Sequence, residues 1–136
     1  PSDAEWTTLE NYLIANGYNY DGTTTGNKIA KAMASTTGWN SETNAAAGDS
    51  GLIPGNGQSL NNSSGFNAFP EGYRIGDWGS SNGGSFVNEG GSAIFWSSAD
   101  TTFTSAHNRY VNSDNSYLIR NSFYKQSGFS VRFVRD

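Results

Sequence analysis

The chain has 136 residues, enough for one domain and too few for two ordinary ones, and with 35% hydrophobic and 14% aromatic residues its core must be small and aromatic. A formal net charge of -4 leaves no basic surface for nucleic acid or anionic lipid, and the absence of cysteine excludes disulfides, thiolate metal sites and cysteine nucleophiles. Few charged residues, abundant Gly, Asn, Ser and Thr, and no apolar run near the ~20 residues of a membrane span indicate an exported, turn-rich β domain that does not itself enter a membrane.

Ser2-Asp3-Ala4-Glu5 is a capping-box pattern. It predicts a helix over about 3–15, with Trp6, Leu9 and Leu13 on the buried stripe, Tyr12 widening it, and Asn16-Gly17 as a left-handed stop. After turn chemistry from Tyr18 to Gly26, Lys28–Ala34 reads as a short second helix burying Ile29, Met33 and either Ala30 or Ala32, with Trp39 folding back on it. From Asn40 to Gly65 a long ordered surface loop is expected, anchored by Leu52, Ile53 and Leu60.

The rest of the chain reads as short strands. Gly65–Arg74 alternates apolar and small residues and should be a strand ending in a turn. A loop over 76–84 carries Asp77 and Trp78. Further strands are expected at Phe86-Val87, 93–98, Tyr110-Val111, 117–119 and 131–134. Two helices followed by strands give an α+β domain.

The last forty residues mix Asn, Ser, Tyr, Asp and Arg with few apolar residues, a composition suited to recognition. Asn108, Tyr110 and Asn112 alternate with His107, Arg109 and Val111, so the two sets project from opposite faces of one strand. Asp114-Asn115-Ser116 reads as a hairpin turn, beyond which Tyr117, Arg120, Asn121, Tyr124 and Lys125 continue the polar-aromatic character. The candidate ligand-binding residues are therefore Asn108, Tyr110, Asn112, Asp114, Asn115, Tyr117, Asn121 and Tyr124, with Trp78 as a stacking platform. The competing reading is that these side chains solvate one face of the sheet and that Arg109 or Arg120 is an ion-pair partner. Trp6, Trp39 and Trp96 read as core.

Catalysis finds little footing. His107 is the only histidine, and the nearby Ser97, Ser98, Ser105 and Asp100 carry no specific spacing. Asp77, Glu89, Asp100 and Asp114 lie in expected loops, but nothing selects a pair for glycoside hydrolysis. Asn19-Tyr20-Asp21-Gly22 resembles the start of a calcium loop, yet the required glutamate position holds Lys28, so a turn is the better reading. No cofactor is expected, with a structural calcium near Asp77 or Asp114 as the one ion left open.

Four segments in order, 1–10, 65–74, Phe95-Trp96-Ser97-Ser98 with Ala106, and 128–136, resemble the Fibrobacter succinogenes major paralogous domain, found in surface proteins and lipoproteins of Bacteroidetes and their relatives. The resemblance spans nearly the whole chain. It implies a C-type lectin-like fold related to the formylglycine-generating enzymes: two helices beside a twisted, mostly antiparallel sheet with a long loop excursion. Those enzymes need cysteine thiols, absent here, so their chemistry does not carry over. The calcium-ligand motifs of sugar-binding lectins are missing too. Where the family commonly has a cysteine this chain has Phe133, and the upstream strand that usually pairs with the C-terminal one has no counterpart before Pro1, which would leave 131–134 at an open edge for a neighbouring chain or domain.

The expectation is thus a single domain, 1–136, forming the C-terminal part of a longer bacterial surface protein. It would act as a non-catalytic adhesive module binding glycan or a cell-surface protein, and its final strands could serve as a variable display surface. The alternatives are a passive structural module of a surface protein or filament and, more remotely, a carboxylate-dependent hydrolase.

Overall fold

Helix α1, Asp3–Ala15, begins where the capping box requires: Glu5 N–H donates to Ser2 Oγ at 3.2 Å while Ser2 N–H donates to Glu5 Oε2 at 2.7 Å. In this computed structural model, which describes residues 1–42, 51–77 and 83–135, α1 ends at Asn16 and Gly17. Gly17 takes φ +76°, and Tyr18 N–H returns to the Leu13 carbonyl at 3.0 Å. Trp6 and Leu13 are buried, but Tyr12 is 58% exposed. At 3.6 residues per turn it falls off the stripe set by residues 6, 9 and 13.

The second helix shrinks to one turn, α2, Ala30–Met33. Ile29 already has helical φ and ψ but no side-chain cap, and Ala34 leaves into extended backbone to bridge Ala68. All four residues of the turn are buried, Lys31 among them. Among the described residues the architecture is therefore one substantial helix, a single α-helical turn, a 3-10 turn at Gln58–Leu60 and antiparallel sheets, an α+β arrangement.

Two sheets follow. A small ribbon joins β1, Tyr73–Arg74, to β2, Phe86–Val87; the main sheet has the order β3, Ser92–Asp100, β4, Ser105–Asn112, and β5, Ile119–Tyr124, each pair antiparallel. Between Trp96 and Asp100 the first strand runs four residues while its partner runs two, from Asn108 to Ala106, so the outer part of this hairpin is bulged. Isolated bridges from Gly72 to Ala93 and from Arg74 to Gly128 tie the ribbon to the rest.

Three strand expectations need correction. The strand expected at 117–119 begins only at Ile119 and runs to Tyr124, with Tyr117 and Leu118 in the connection before it. Within 65–74 only Tyr73-Arg74 pairs in a ladder, because Asn67 at φ +58° and Gly72 at φ +69° interrupt the extended run. At 131–134 no ladder forms among the described residues; pairing stops at Ser130, which bridges Phe95, and Val131, Phe133 and Val134 are exposed.

The core lies between α1 and one face of the main sheet, where Trp6, Leu13, Ile29, Met33 and Trp39 meet Ala93, Phe95, Val111 and Leu118. Trp6, Phe66 and Phe95 form an aromatic triangle with centroids 5.5–5.9 Å apart. Trp96 does not join it. By strand alternation Trp96 points to the opposite face, half-buried, with its ring 4.3 Å from that of Phe129.

The described part of the 40–65 loop is held chiefly by polar side chains. Ile53 is buried, but Leu60 is 69% exposed and anchors nothing. Instead the Lys31 ammonium, on a side chain 4% exposed, donates to the carbonyls of Ile53, Asn56 and Gly57 and to Asn61 Oδ1, at 3.2, 2.7, 3.2 and 2.8 Å. Burial pushes its pKa down, and these four oxygens compensate the lost hydration. Asn61 Nδ2 then donates onward to the Ser35 and Pro54 carbonyls.

Candidate functional site

Strand β4 separates two sets of side chains. On the face toward α1, Arg109 is wholly buried and donates to Asp3 Oδ1 at 2.7 Å and Thr7 Oγ1 at 3.2 Å, with Glu10 Oε2 at 3.9 Å. Arg120, its cross-strand neighbour, grips the same Asp3 through Nε and Nη2. These two guanidinium groups, Arg120 first, hold the Asp3 carboxyl well below the usual carboxylate range, whereas burial pushes Glu10 up. His107 Nε2 lies 3.1 Å from Arg120 Nη2; a guanidinium only donates, so Nε2 is the acceptor, and the buried Nδ1 has no partner among the described residues. This is the ion-pair role weighed for Arg109 and Arg120.

The other face carries Asn108, Tyr110 and Asn112, as the alternation requires, with Asn121 opposite Asn108 on β5. Together they line a cavity of about 180 Å³. Ser92 and Ile94 of β3 complete its floor, and Tyr73, Asn88, Phe123 and Phe129 form its walls. Phe129 stands among Trp96, Phe123 and Tyr73, with centroids at 4.3, 5.4 and 5.8 Å. One side of the cavity is thus a ring cluster and the other a bank of amides.

Some of those amides are tied to one another. Asn88 Nδ2 donates to Ser92 Oγ at 2.6 Å, and that hydroxyl donates to Asn112 Oδ1 at 2.5 Å. Tyr110 and Asn121 line the cavity together, and burial raises the phenol pKa. Asn108 differs: it is 1% exposed, and its Nδ2 has no partner among the described residues.

The remaining sequence candidates lie elsewhere. Asp114, Asn115 and Tyr117 belong to the β4–β5 connection, where Tyr117 N–H donates to Asn115 Oδ1 at 3.2 Å in an Asx-type turn. That turn is anchored below by Asn27, whose side chain exchanges hydrogen bonds with the Leu118 backbone. Tyr124 pairs with Ser105 on the α1 side of the sheet and is 46% exposed. Trp78 lies outside the described residues. The face therefore gathers four of the nine candidates and adds Tyr73, Asn88, Phe123 and Phe129. Alternation along β5 could have found Phe123; Tyr73 and Asn88 arrive through the β1–β2 ribbon, which no local pattern joins to this face.

The acids weighed for hydrolysis are dispersed. Asp77 pairs with Arg74 at 3.0 Å and Asp100 with Lys125 at 2.7 Å, both on the surface. Among the described residues no group of three or more His, Cys, Asp or Glu side chains is placed to hold a metal ion. The Asn19–Lys28 segment is a turn built around the buried Asn19 amide, closed by a Lys28–Asp21 ion pair of 2.5 Å that pulls Asp21 down to about 2. No helix among the described residues is long and apolar enough to cross a membrane.

No curated protein and no solved structure matches the chain. The model of the Fibrobacter succinogenes major domain matches residues 1–135, and the chain belongs to that family.

Proposed function

We propose that this is a non-catalytic recognition domain displayed outside a bacterial cell, binding a glycan or a cell-surface protein through the cavity face of its main sheet. The observation that carries the reading is the pairing, in one concavity, of the rings of Tyr73, Phe123 and Phe129, backed by Trp96, with amides from two strands and a loop. Rings supply contact area at little entropic cost, and amides bond hydroxyls or peptide groups. The reading needs no cofactor. A C-type lectin-like fold is the frame it assumes, supported by a leading helix, a mostly antiparallel sheet and the long 40–65 excursion.

The test is a glycan array and an ectodomain array probed with the wild-type domain and with a Tyr110→Ala, Asn121→Ala variant that melts normally. Hits lost in the variant support the reading. Hits retained in the variant, or blank arrays with both proteins folded, count against it.

A second reading, a passive assembly module, is favoured by one observation: Phe133 is 90% exposed and Val131 and Val134 more than half, beside an apolar cleft of Pro1, Trp6, Leu9 and Phe66. It requires concentration-dependent self-association, or capture of an added strand, that Phe133→Asp removes. Sedimentation of a monomer at all concentrations, with no strand captured, would reject it.

A further inference from the structure

The cavity has a property that discriminates among ligands: among the described residues no Asp, Glu, Lys, Arg or His lines it. A charged group entering would shed its hydration with no countercharge to receive it. Within this neutral lining Asn88, Ser92 and Asn112 are chained together, whereas the buried Asn108 Nδ2 has no partner among the described residues, which marks it as a donor held for something else. A buried donor without a partner costs about 1–3 kcal/mol, a cost that a ligand oxygen would remove by drawing the buried Asn108 amide round to face the cavity. Across the cavity stand the rings of Phe129 and Tyr73, with centroids 5.8 Å apart and planes at 81°, a corner in which the C–H face of a sugar can lie on one ring against the edge of the other. The volume of about 180 Å³ is small for a ligand site and suits one small ring.

We infer that this cavity takes a single neutral pyranose ring, one of whose oxygens accepts from Asn108 Nδ2 while its apolar face packs on Phe129 and Tyr73. The inference rests on the recognition reading and narrows it to a ligand class. It is tested by NMR titration of the whole domain with the methyl glycosides of glucose, galactose, mannose and N-acetylglucosamine, and with methyl glucuronide as the charged counterpart. At least one neutral glycoside should shift the Asn108 side-chain amide and Phe129 ring resonances saturably at millimolar concentration, and the glucuronide should bind at least about tenfold more weakly.

Asn108→Leu, similar in shape and free of the orphan donor, should keep or raise the Tm while weakening the sugar at least about tenfold. Equal binding of the glucuronide, or unchanged binding in Asn108→Leu, would overturn the inference. So would the absence of any shift with all four neutral glycosides, a result the wild-type protein gives without a variant. In that last case array hits lost in Tyr110→Ala, Asn121→Ala would leave the recognition reading standing, and unchanged hits would remove both.

Discussion

Replacing Lys31 by Met retains the aliphatic stem and deletes the ammonium, so it isolates what that charge does for the 51–61 segment. Four oxygens lose their donor. The two at 3.2 Å are weak, but the Asn56 carbonyl at 2.7 Å and Asn61 Oδ1 at 2.8 Å make full charge-assisted bonds. Net values for hydrogen bonds to charged groups, which already include desolvation of the donor, are about 1.5–3 kcal/mol each. Two such bonds give ~3–6 kcal/mol, and water entering the vacated space favours the lower end, ~3 kcal/mol. With an unfolding entropy of about 2.1 cal/mol/K per residue, 136 residues give roughly 0.29 kcal/mol/K, so the Tm should fall by about 10 °C. Differential scanning calorimetry measures this directly. Limited proteolysis should locate new cleavage at 51–61, and Leu60→Ala, at an exposed position of the same segment, should melt within about 2 °C of wild type. A Lys31→Met protein that melts with the wild type and resists the protease would show that the four contacts do not hold the loop.

Two further predictions concern other parts of the scaffold. Asp3 has its folded-state pKa lowered by Arg120 and Arg109, so its contribution is fully present above its unfolded value of about 4 and is lost as pH falls below that. Glu10, raised by burial, acts in the opposite sense: where it is protonated only in the folded state, stability falls as pH rises above about 4. Urea melts between pH 2 and 4 should therefore steepen in wild type and flatten in Asp3→Asn. Asp3→Ala should in addition cost about 3 kcal/mol at neutral pH by leaving the buried Arg109 without its nearest carboxylate, and equal acid sensitivity in all three proteins would refute the assignment. Gly72→Ala should destabilise by at least ~2 kcal/mol, because at φ +69° its Cβ would press on the Val87 carbonyl and lie 2.7 Å from Glu89 N, forcing β1 and β2 apart; an unchanged urea midpoint would refute it.

What could be read from the chain before folding divides by range. Helix α1 was legible at both ends because its signals are local: Ser2, Glu5 and Gly17 act on backbone within four residues of themselves. The face shared by Asn108, Tyr110 and Asn112 was legible because strand alternation is a local property. The 131–134 strand misled because apolar alternation records a capacity to pair and not the presence of a partner. Lys31 was read only as part of an amphipathic helix; its four oxygens come from residues 22 to 30 positions later, a distance at which no sequence period operates. The same holds for Tyr73 and Asn88, which reach the cavity because Gly72 bridges Ala93.

Strand β4 thus carries scaffold on one face and a cavity lining on the other, and a period of two residues keeps the roles apart. Arg109 and Val111 are 0% exposed among the contacts of α1 and the core, whereas Tyr110, between them in sequence, faces the cavity. Substitution along the strand should alternate in cost. Val111→Ala should lose about 2 kcal/mol through transfer and cavity terms, and Arg109→Ala about 3–5 kcal/mol by leaving Asp3 and Glu10 short of their buried counter-charge. Tyr110→Phe and Asn121→Ser, which keep the half-buried ring and change an exposed amide, should lose no more than about 1 kcal/mol. Chemical denaturation of the four single variants reads the pattern. If the cavity-face variants fall as far as Val111→Ala, those side chains belong to the fold, and a face that cannot change without unfolding is poorly placed to be a recognition surface.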